Sequence, residues 1–154
     1  MVNVCMEIET TRDVARQILR HRSFSFQEFS QRYAISSRYE FSEARLQDDK
    51  NRQNSIPVQD RELMRVWQEL QQDVLKASRR SYEAALGMGI AKEVARKVLP
   101  EGMTTSRMYM NGTLRSWMHY VDIRCDKATQ KEHREVAEEC KRVLTNLFPS
   151  LFTA

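Results

Sequence analysis

Between Gln17 and Tyr33 the chain reads QILRHRSFSFQEFSQRY, which sets Arg20, His21, Arg22, Arg32, Glu28 and three serines among four aromatic residues. Fixed cations, hydroxyls and flat rings in one short segment suit a ligand that carries both phosphate and a ring; a buried structural network is the competing reading. Ser30 and Arg32 alternate, so on extended backbone both side chains leave on the same side. A hydroxyl beside a guanidinium there suits a phosphate group, and Arg96 could join from a distant segment. Against this stands plain surface ion pairing, which is worth little. Arg20, His21 and Arg22 are consecutive, and on a continuing helix they would fan out in steps of about 100°. They converge on one ligand only if the helix ends there or the site is built from several sides. A nucleotide cofactor would meet such a triplet with its diphosphate and rings, while a solvated basic helix end favoured by the macrodipole is the alternative. Basic residues interleaved with Phe24, Phe26, Phe29 and Tyr33 also resemble a stacking platform for single-stranded nucleic acid. No long Lys/Arg stripe accompanies them, and single-strand binders are usually sheet-based, unlike this largely helical chain.

Further along, Arg115 and His119 are four apart, so they share a helix face, and Tyr120 and Arg124 share another. His119 divides evenly between ligand contact and structural hydrogen bonding. His133, beside Glu132 near a helix start, reads as a surface residue. Cys5, Cys125 and Cys140 have no C-x-x-C spacing and no evident histidine partner, which favours packing over nucleophilic or zinc chemistry. No G-x-S-x-G, P-loop or H-E-x-x-H pattern occurs. The 154 residues suit one domain, 1–154, and a net charge of +4 favours anionic partners only mildly. Sparse cysteines and the lack of a long apolar run or signal pattern point to a cytoplasmic protein without a membrane span.

These residues need elements to hold them. VNVCMEIE alternates Val2, Val4, Met6 and Ile8 against polar partners, a strand with one buried face. TTRD offers capping residues for a helix whose apolar positions are Val14, Ala15, Ile18 and Leu19. The segment SFSFQEFSQRY lacks clean periodicity and reads as mostly irregular, SSRYEF as a brief return to extended structure, and 43–57 as a polar surface loop. From about Gln59 to Leu86 the chain predicts one long helix, with Leu63, Trp67, Leu70, Val74, Ala77, Ser81 and Ala85 as its apolar stripe and GMG as its stop. AKEVARKVL predicts a shorter helix ending at Pro100. TTSRMYMN is a strand or extended link, and TLRSWMHYVDIRC is helical. TQKE, Thr129 to Glu132, predicts a capping box for a last helix buried through Val136, Cys140, Val143, Leu144 and Leu147 and ended by Pro149.

Arg20, His21, Arg22, Ser25, Ser30, Arg32 and Tyr33 together fit R-H-R-x-x-S-x-x-x-x-S-x-R-Y. This pattern resembles the signature of the flavin-dependent thymidylate synthases, and EVARKVLP and RSWMHYVDIRCDKATQKEH are similar to later blocks of that family. The resemblance runs from near Met1 to about Phe148. It implies an α+β fold, a small antiparallel sheet with a long central helix and further helices, in a homotetramer whose active sites lie at subunit interfaces. It implies reductive methylation of deoxyuridylate (dUMP) to dTMP, with FAD as cofactor, NADPH as reductant and methylenetetrahydrofolate as carbon donor. Metal and nucleic acid have no part in it.

Residue by residue, the resemblance implies that Arg20, His21 and Arg22 contact FAD, with Arg20 also near the nucleotide. Gln17, Glu28, Ser30 and Arg32 would hold dUMP, Ser30 and Arg32 on its phosphate. Arg96 would close on that phosphate from a neighbouring chain. Arg124 would face the uracil and polarise it in the catalytic step, and Arg115 and His119 would line the flavin pocket, His119 where some relatives have asparagine. Family members carry a further N-terminal block that contributes to the flavin site. Its lack here sets the expectation of an N-terminally incomplete domain with weakened flavin binding and assembly, and an inactive nucleotide-binding fragment as the alternative function.

Overall fold

A computed structural model describes residues 2–32, 35, 38–52 and 54–152. Five strands and six helices follow in the order β1 (Asn3–Thr11), α1 (Arg12–Ile18), β2 (Ser25–Glu28), β3 (Arg45–Gln47), β4 (Ser55–Pro57), α2 (Arg61–Gly87), α3 (Lys92–Ala95), β5 (Thr105–Thr113), α4 (Leu114–Arg124), α5 (Lys131–Leu147) and α6 (Pro149–Phe152). A 3₁₀ turn, Arg96–Val98, continues α3. The fold is α+β, with a three-stranded antiparallel sheet in the order β1-β5-β2. β5 is its middle strand, pairing Asn3 through Thr11 with Thr113 through Thr105 on one side and Ser25 through Glu28 with Asn111 through Met108 on the other.

The period-two pattern explains the sheet. Met6, Ile8, Met108 and Met110 point to one face and are buried, while Glu7, Glu9, Arg107 and Tyr109 point to the other and pair across strands. Val2, expected on the buried face, is half exposed. The apolar face is covered by Val14, Ala15 and Ile18 of α1, Trp117, Tyr120 and Val121 of α4, Ala137, Cys140 and Leu144 of α5 and Phe152 of α6. Trp117 is fully buried and its indole Nε1 donates to the Val4 carbonyl at 3.0 Å, locking α4 onto β1.

Several local readings are corrected by tertiary context. SFSF is not irregular: Ser25–Glu28 pairs with β5, and the pairing supplies order that its composition does not. The 43–57 loop contains the β3–β4 hairpin, held around Asp48, whose carboxylate accepts from the Lys50 and Asn51 amides. The last helix starts at Lys131 behind Gln130, with no side-chain cap; the Thr129 hydroxyl turns back to the Ile123 carbonyl, so the capping box does not form. Its Leu147 is exposed.

α2 has the predicted length but is not central to the sheet core. Asp60 caps it by accepting from the Glu62 and Leu63 amides. Gly89, at φ 79°, closes it: the Ile90 amide donates to the Ala85 carbonyl and the Gly89 amide to that of Leu86, the paired bonds of a Schellman stop. Gln71, Ser78, Tyr82 and Ala85 are its buried residues, against the 3₁₀ turn and the segment at Ser42. Leu63, Trp67, Leu70 and Val74 of the predicted stripe stay 38–55% exposed within the chain.

Gly112 of β5 fits where a side chain does not: a Cβ there would lie 2.5 Å from Cδ1 of Phe24. Phe24 is buried, its ring 4.9 Å from that of Trp117. Gly112→Ala is therefore expected to displace Phe24 and cost about 1–3 kcal/mol, read as a lowered urea midpoint.

Candidate functional site

α1 ends at Ile18, and the amides of Arg20 and His21 close onto the carbonyls of Gln17 and Ile18. Arg20, His21 and Arg22 thus lie in a turn beyond the helix, free of the 100° fan. His21 points inward. Its Nε2 accepts from Arg124 Nε at 2.9 Å, and its ring meets that of Tyr120 edge-on at 4.9 Å. Because a guanidinium only donates, Nε2 of His21 carries no proton and the ring is the Nδ1–H tautomer. Burial, with the positive charge of Arg124 and then His119, pulls the His21 pKa down to about 4.

Behind His21 is a buried polar core. His133 is completely buried rather than on the surface, with Nε2 3.2 Å from the Tyr120 hydroxyl and Nδ1 3.3 Å from Gln17 Oε1. Gln17 Nε2 donates to Gln130 Oε1 at 2.7 Å, and Gln130 Nε2 to Glu132 Oε2 at 3.0 Å. Arg45 pairs with the other oxygen of Glu132 and, at 3.1 Å, with Glu43. Burial opposes ionisation of Glu132, but the hydrogen bonds from Arg45 and Gln130 outweigh it and hold its pKa below the usual carboxylate value. Burial raises the Tyr120 pKa, so its hydroxyl keeps its proton. Burial likewise drives the Cys140 thiol up to about 12 and raises that of Cys125, which fits packing; Cys5 is exposed on β1.

The His133 pKa is lowered to about 4, by burial first and then by Arg124 and His21. The unfolded histidine takes up its proton near 6.5 while the folded one resists until about pH 4. Stability is therefore complete above pH 6.5 and lost as the pH falls toward 4. His133 alone accounts for about 1–2 kcal/mol between pH 7.5 and 5, from about 1.4 kcal/mol per unit. Urea unfolding at the two pH values should show this loss, and His133→Gln should reduce it; an unchanged loss in the variant contradicts the assignment.

The other expected residues fall into separate groups. Ser30 Oγ accepts from the Arg32 amide at 3.3 Å. Arg32 pairs with Glu93 at 3.4 Å, and Arg96 Nε donates to the Glu93 carbonyl at 3.3 Å, so Ser30, Arg32 and Arg96 gather around α3 in one chain. Glu28 is turned toward α1, where Oε1 accepts from Arg12 at 3.3 Å and Ser106 at 2.5 Å. Arg115 and His119 line a cavity of about 870 Å³ with Leu114, Met118, Lys141 and Phe152. Tyr33, the last motif position, lies outside the described residues.

Among the described residues, Arg20, Arg22, Arg96, Arg115 and Arg124 have no carboxylate partner, as is also true of Arg52, Arg61 and Arg80 elsewhere, while the other ten arginines are paired. Guanidiniums without a carboxylate partner suit an anionic ligand; of these five, Arg115 lines the cavity, which Lys141, Asp122 and Asp126 also line. Sequence reasoning missed Arg45, Gln130 and His133. For His133 the signal was present, since 133, 137, 140 and 144 step by four, three and four along the buried face of α5. The pairing of Arg45 with Glu132 carries no local signal, because 87 positions separate them. No group of three or more His, Cys, Asp or Glu among the described residues is placed to hold a metal, and no helix there is long and apolar enough to cross a membrane.

Residues 1–150 match the family described as Thymidylate synthase complementing protein. The flavin-dependent thymidylate synthase of Synechocystis sp. is 51% identical over 154 residues, all of this chain and 71% of the relative. A protein of Paramecium bursaria Chlorella virus 1 named "Probable flavin-dependent thymidylate synthase" is 44% identical over 97% of this chain and 69% of its own length. Among solved structures, a UMP/dUMP methylase, PolB, from Streptomyces cacaoi bound with 5-Br UMP superposes with a TM-score of 0.87, covering 97% of this chain and 72% of that one. At 23% identity it shows a shared fold.

Proposed function

The chain belongs to the flavin-dependent thymidylate synthase family, and from that premise we propose that it methylates dUMP to dTMP. Methylenetetrahydrofolate is the carbon donor, NADPH the reductant and FAD the cofactor. The observation that carries this reading is the set of guanidiniums without carboxylate partners. Arg96 contacts Glu93, the partner of Arg32, and Arg115 lines the cavity; with Arg20, Arg22 and Arg124 they are the cations that the family pattern assigns to anions.

Ser30, Arg32 and Arg96 take the phosphate. Arg32 now pairs with the exposed Glu93 carboxylate and Arg96 Nε donates to the Glu93 backbone carbonyl; a phosphate dianion offers more acceptor oxygens to the same forks. Gln17, Arg20 and Glu28 hold the nucleoside. Arg124 is steered by its bond to His21, which leaves its two terminal nitrogens to face the pyrimidine carbonyls. There it is a fixed positive charge where negative charge develops on the ring. The neutral His21 leaves that charge undivided.

The residues present fit FAD. Arg115 and Lys141 of the cavity, with Arg20 and Arg22 as the family pattern assigns them, suit its diphosphate; Leu114, Met118 and Phe152 offer a flat ring apolar surface, and Asp122 and Asp126 lie on the same wall. When bound, the flavin supplies the redox chemistry; the chain's residues position, polarise and exclude water. The exposed stripe of Leu63, Trp67, Leu70 and Val74 on α2 supports burial against other copies in a homotetramer with shared sites.

Calorimetric titration tests the phosphate reading. The protein should bind dUMP at least about tenfold more tightly than deoxyuridine, the loss that follows from leaving charged donors unpaired. Equal affinity for the two, or no binding of either, overturns it.

A further inference from the structure

The polar core behind the site has a direction, and the direction follows from one ionised group. Glu132 is held as a carboxylate by Arg45, and a carboxylate only accepts. Gln130 must therefore turn its NH₂ toward Glu132, which leaves its Oε1 to face Gln17. Gln17 must in turn give its own NH₂ to Gln130, which leaves Gln17 Oε1 facing His133. An amide oxygen cannot donate, so His133 supplies the proton from Nδ1, its Nε2 is bare, and the Tyr120 hydroxyl donates to it. Every bond in the chain from Tyr120 through His133, Gln17 and Gln130 points toward Glu132.

We propose that Glu132, with Arg45 as its counter-ion and Gln130 and His133 as relays, is the positioning residue that fixes which way the Gln17 amide faces the nucleotide. The proposal rests on the reading that Gln17 contacts dUMP. A glutamine amide has two N–H groups and two lone pairs, and turning it by 180° exchanges donor for acceptor at almost no steric cost. The relay removes that freedom. One N–H of Gln17 is committed to Gln130 and one lone pair of Oε1 to His133, so the remaining N–H and the remaining lone pair each have an assigned side. A substrate carbonyl or hydroxyl then meets a known donor, and an analogue with the opposite pattern meets a mismatch. The relay spans α1, α4, Gln130 before α5, the first turn of α5 and β3, so pre-orientation of Gln17 depends on residues from distant segments.

The test uses the whole protein, with ¹⁵N-labelled histidine and without ligand. The chain has three histidines, and His133 is identified by the signal missing in His133→Gln. Nitrogen shifts should show wild-type His133 in the Nδ1–H form. Glu132→Gln frees the direction of the chain at its anchor. Gln130→Leu cuts the chain while leaving the Arg45–Glu132 pair in place, and so keeps the test open if the first variant does not fold. In each variant His133 should lose its single tautomer, and the dissociation constant for dUMP by calorimetry should rise about 3- to 10-fold, the worth of one oriented hydrogen bond. A wild-type His133 in the Nε2–H form, or an unchanged tautomer in the variants, overturns the relay. Tight dUMP binding that neither variant weakens overturns its positioning role. Failure of the wild-type protein to bind dUMP overturns the functional reading and the positioning role together, while the tautomer still reports whether the ordered chain exists.

Discussion

Arg124→Met is expected to lower kcat/KM for dUMP about 10²- to 10³-fold, the scale seen when a preorganised donor to developing charge is removed. The side chain is half-buried, its Nε is occupied by His21, and no carboxylate among the described residues neutralises it. A charge left uncompensated in a partly desolvated position needs a functional reason, because burial alone disfavours it. Arg124→Lys keeps the charge but loses the planar fork and the Nε contact to His21, so it should recover only part of the activity. Because Arg124 lowers the pKa of both His21 and His133, the methionine variant should also let these rings protonate at higher pH. The acid loss of stability between pH 6.5 and 4 should then become smaller, because the folded and unfolded pKa values lie closer together. A variant with unchanged kcat would remove Arg124 from the chemistry.

Trp117→Ala should cost about 3–5 kcal/mol of unfolding free energy, the usual price of deleting a fully buried large aromatic ring. The indole lies between β1 and Phe24, with ring centroids 4.9 Å apart, and 5.8 Å from Tyr120. Its removal also strips the Val4 carbonyl of its side-chain donor. A midpoint drop of roughly 6–20 °C is expected for a chain of this size. Trp117→Phe keeps most of the ring but not the donor, so it should fall between the two. A loss below about 1 kcal/mol for the alanine variant would show that α4 is not locked to the sheet as described. The site would suffer with the fold, since α4 carries Arg115, His119, Tyr120 and Arg124.

The legible parts of the sequence were those governed by local periodicity. The alternation in β1, the length of α2 with its glycine stop and the apolar face of α5 each follow from spacing within a few residues. The hydrogen bond between Arg124 and His21 was not legible: the resemblance assigns one to the pyrimidine and the other to the flavin, and 103 positions separate them. β2 was not legible, since its order comes from pairing with β5 rather than from its own pattern. His133 was misread because a charged neighbourhood, Lys131, Glu132, Arg134 and Glu135, masked a periodic buried position. The stripe on α2 was legible as apolar, but Leu63, Trp67, Leu70 and Val74 stay exposed among the described residues.

One measurement bears on the central claim most directly. Purified protein is supplied with dUMP, methylenetetrahydrofolate and NADPH, with and without FAD, and dTMP is quantified by chromatography. The account predicts dTMP formation that requires FAD and is lost in Arg124→Met. No dTMP from a folded protein supplied with FAD, or equal dTMP in its absence, would contradict it.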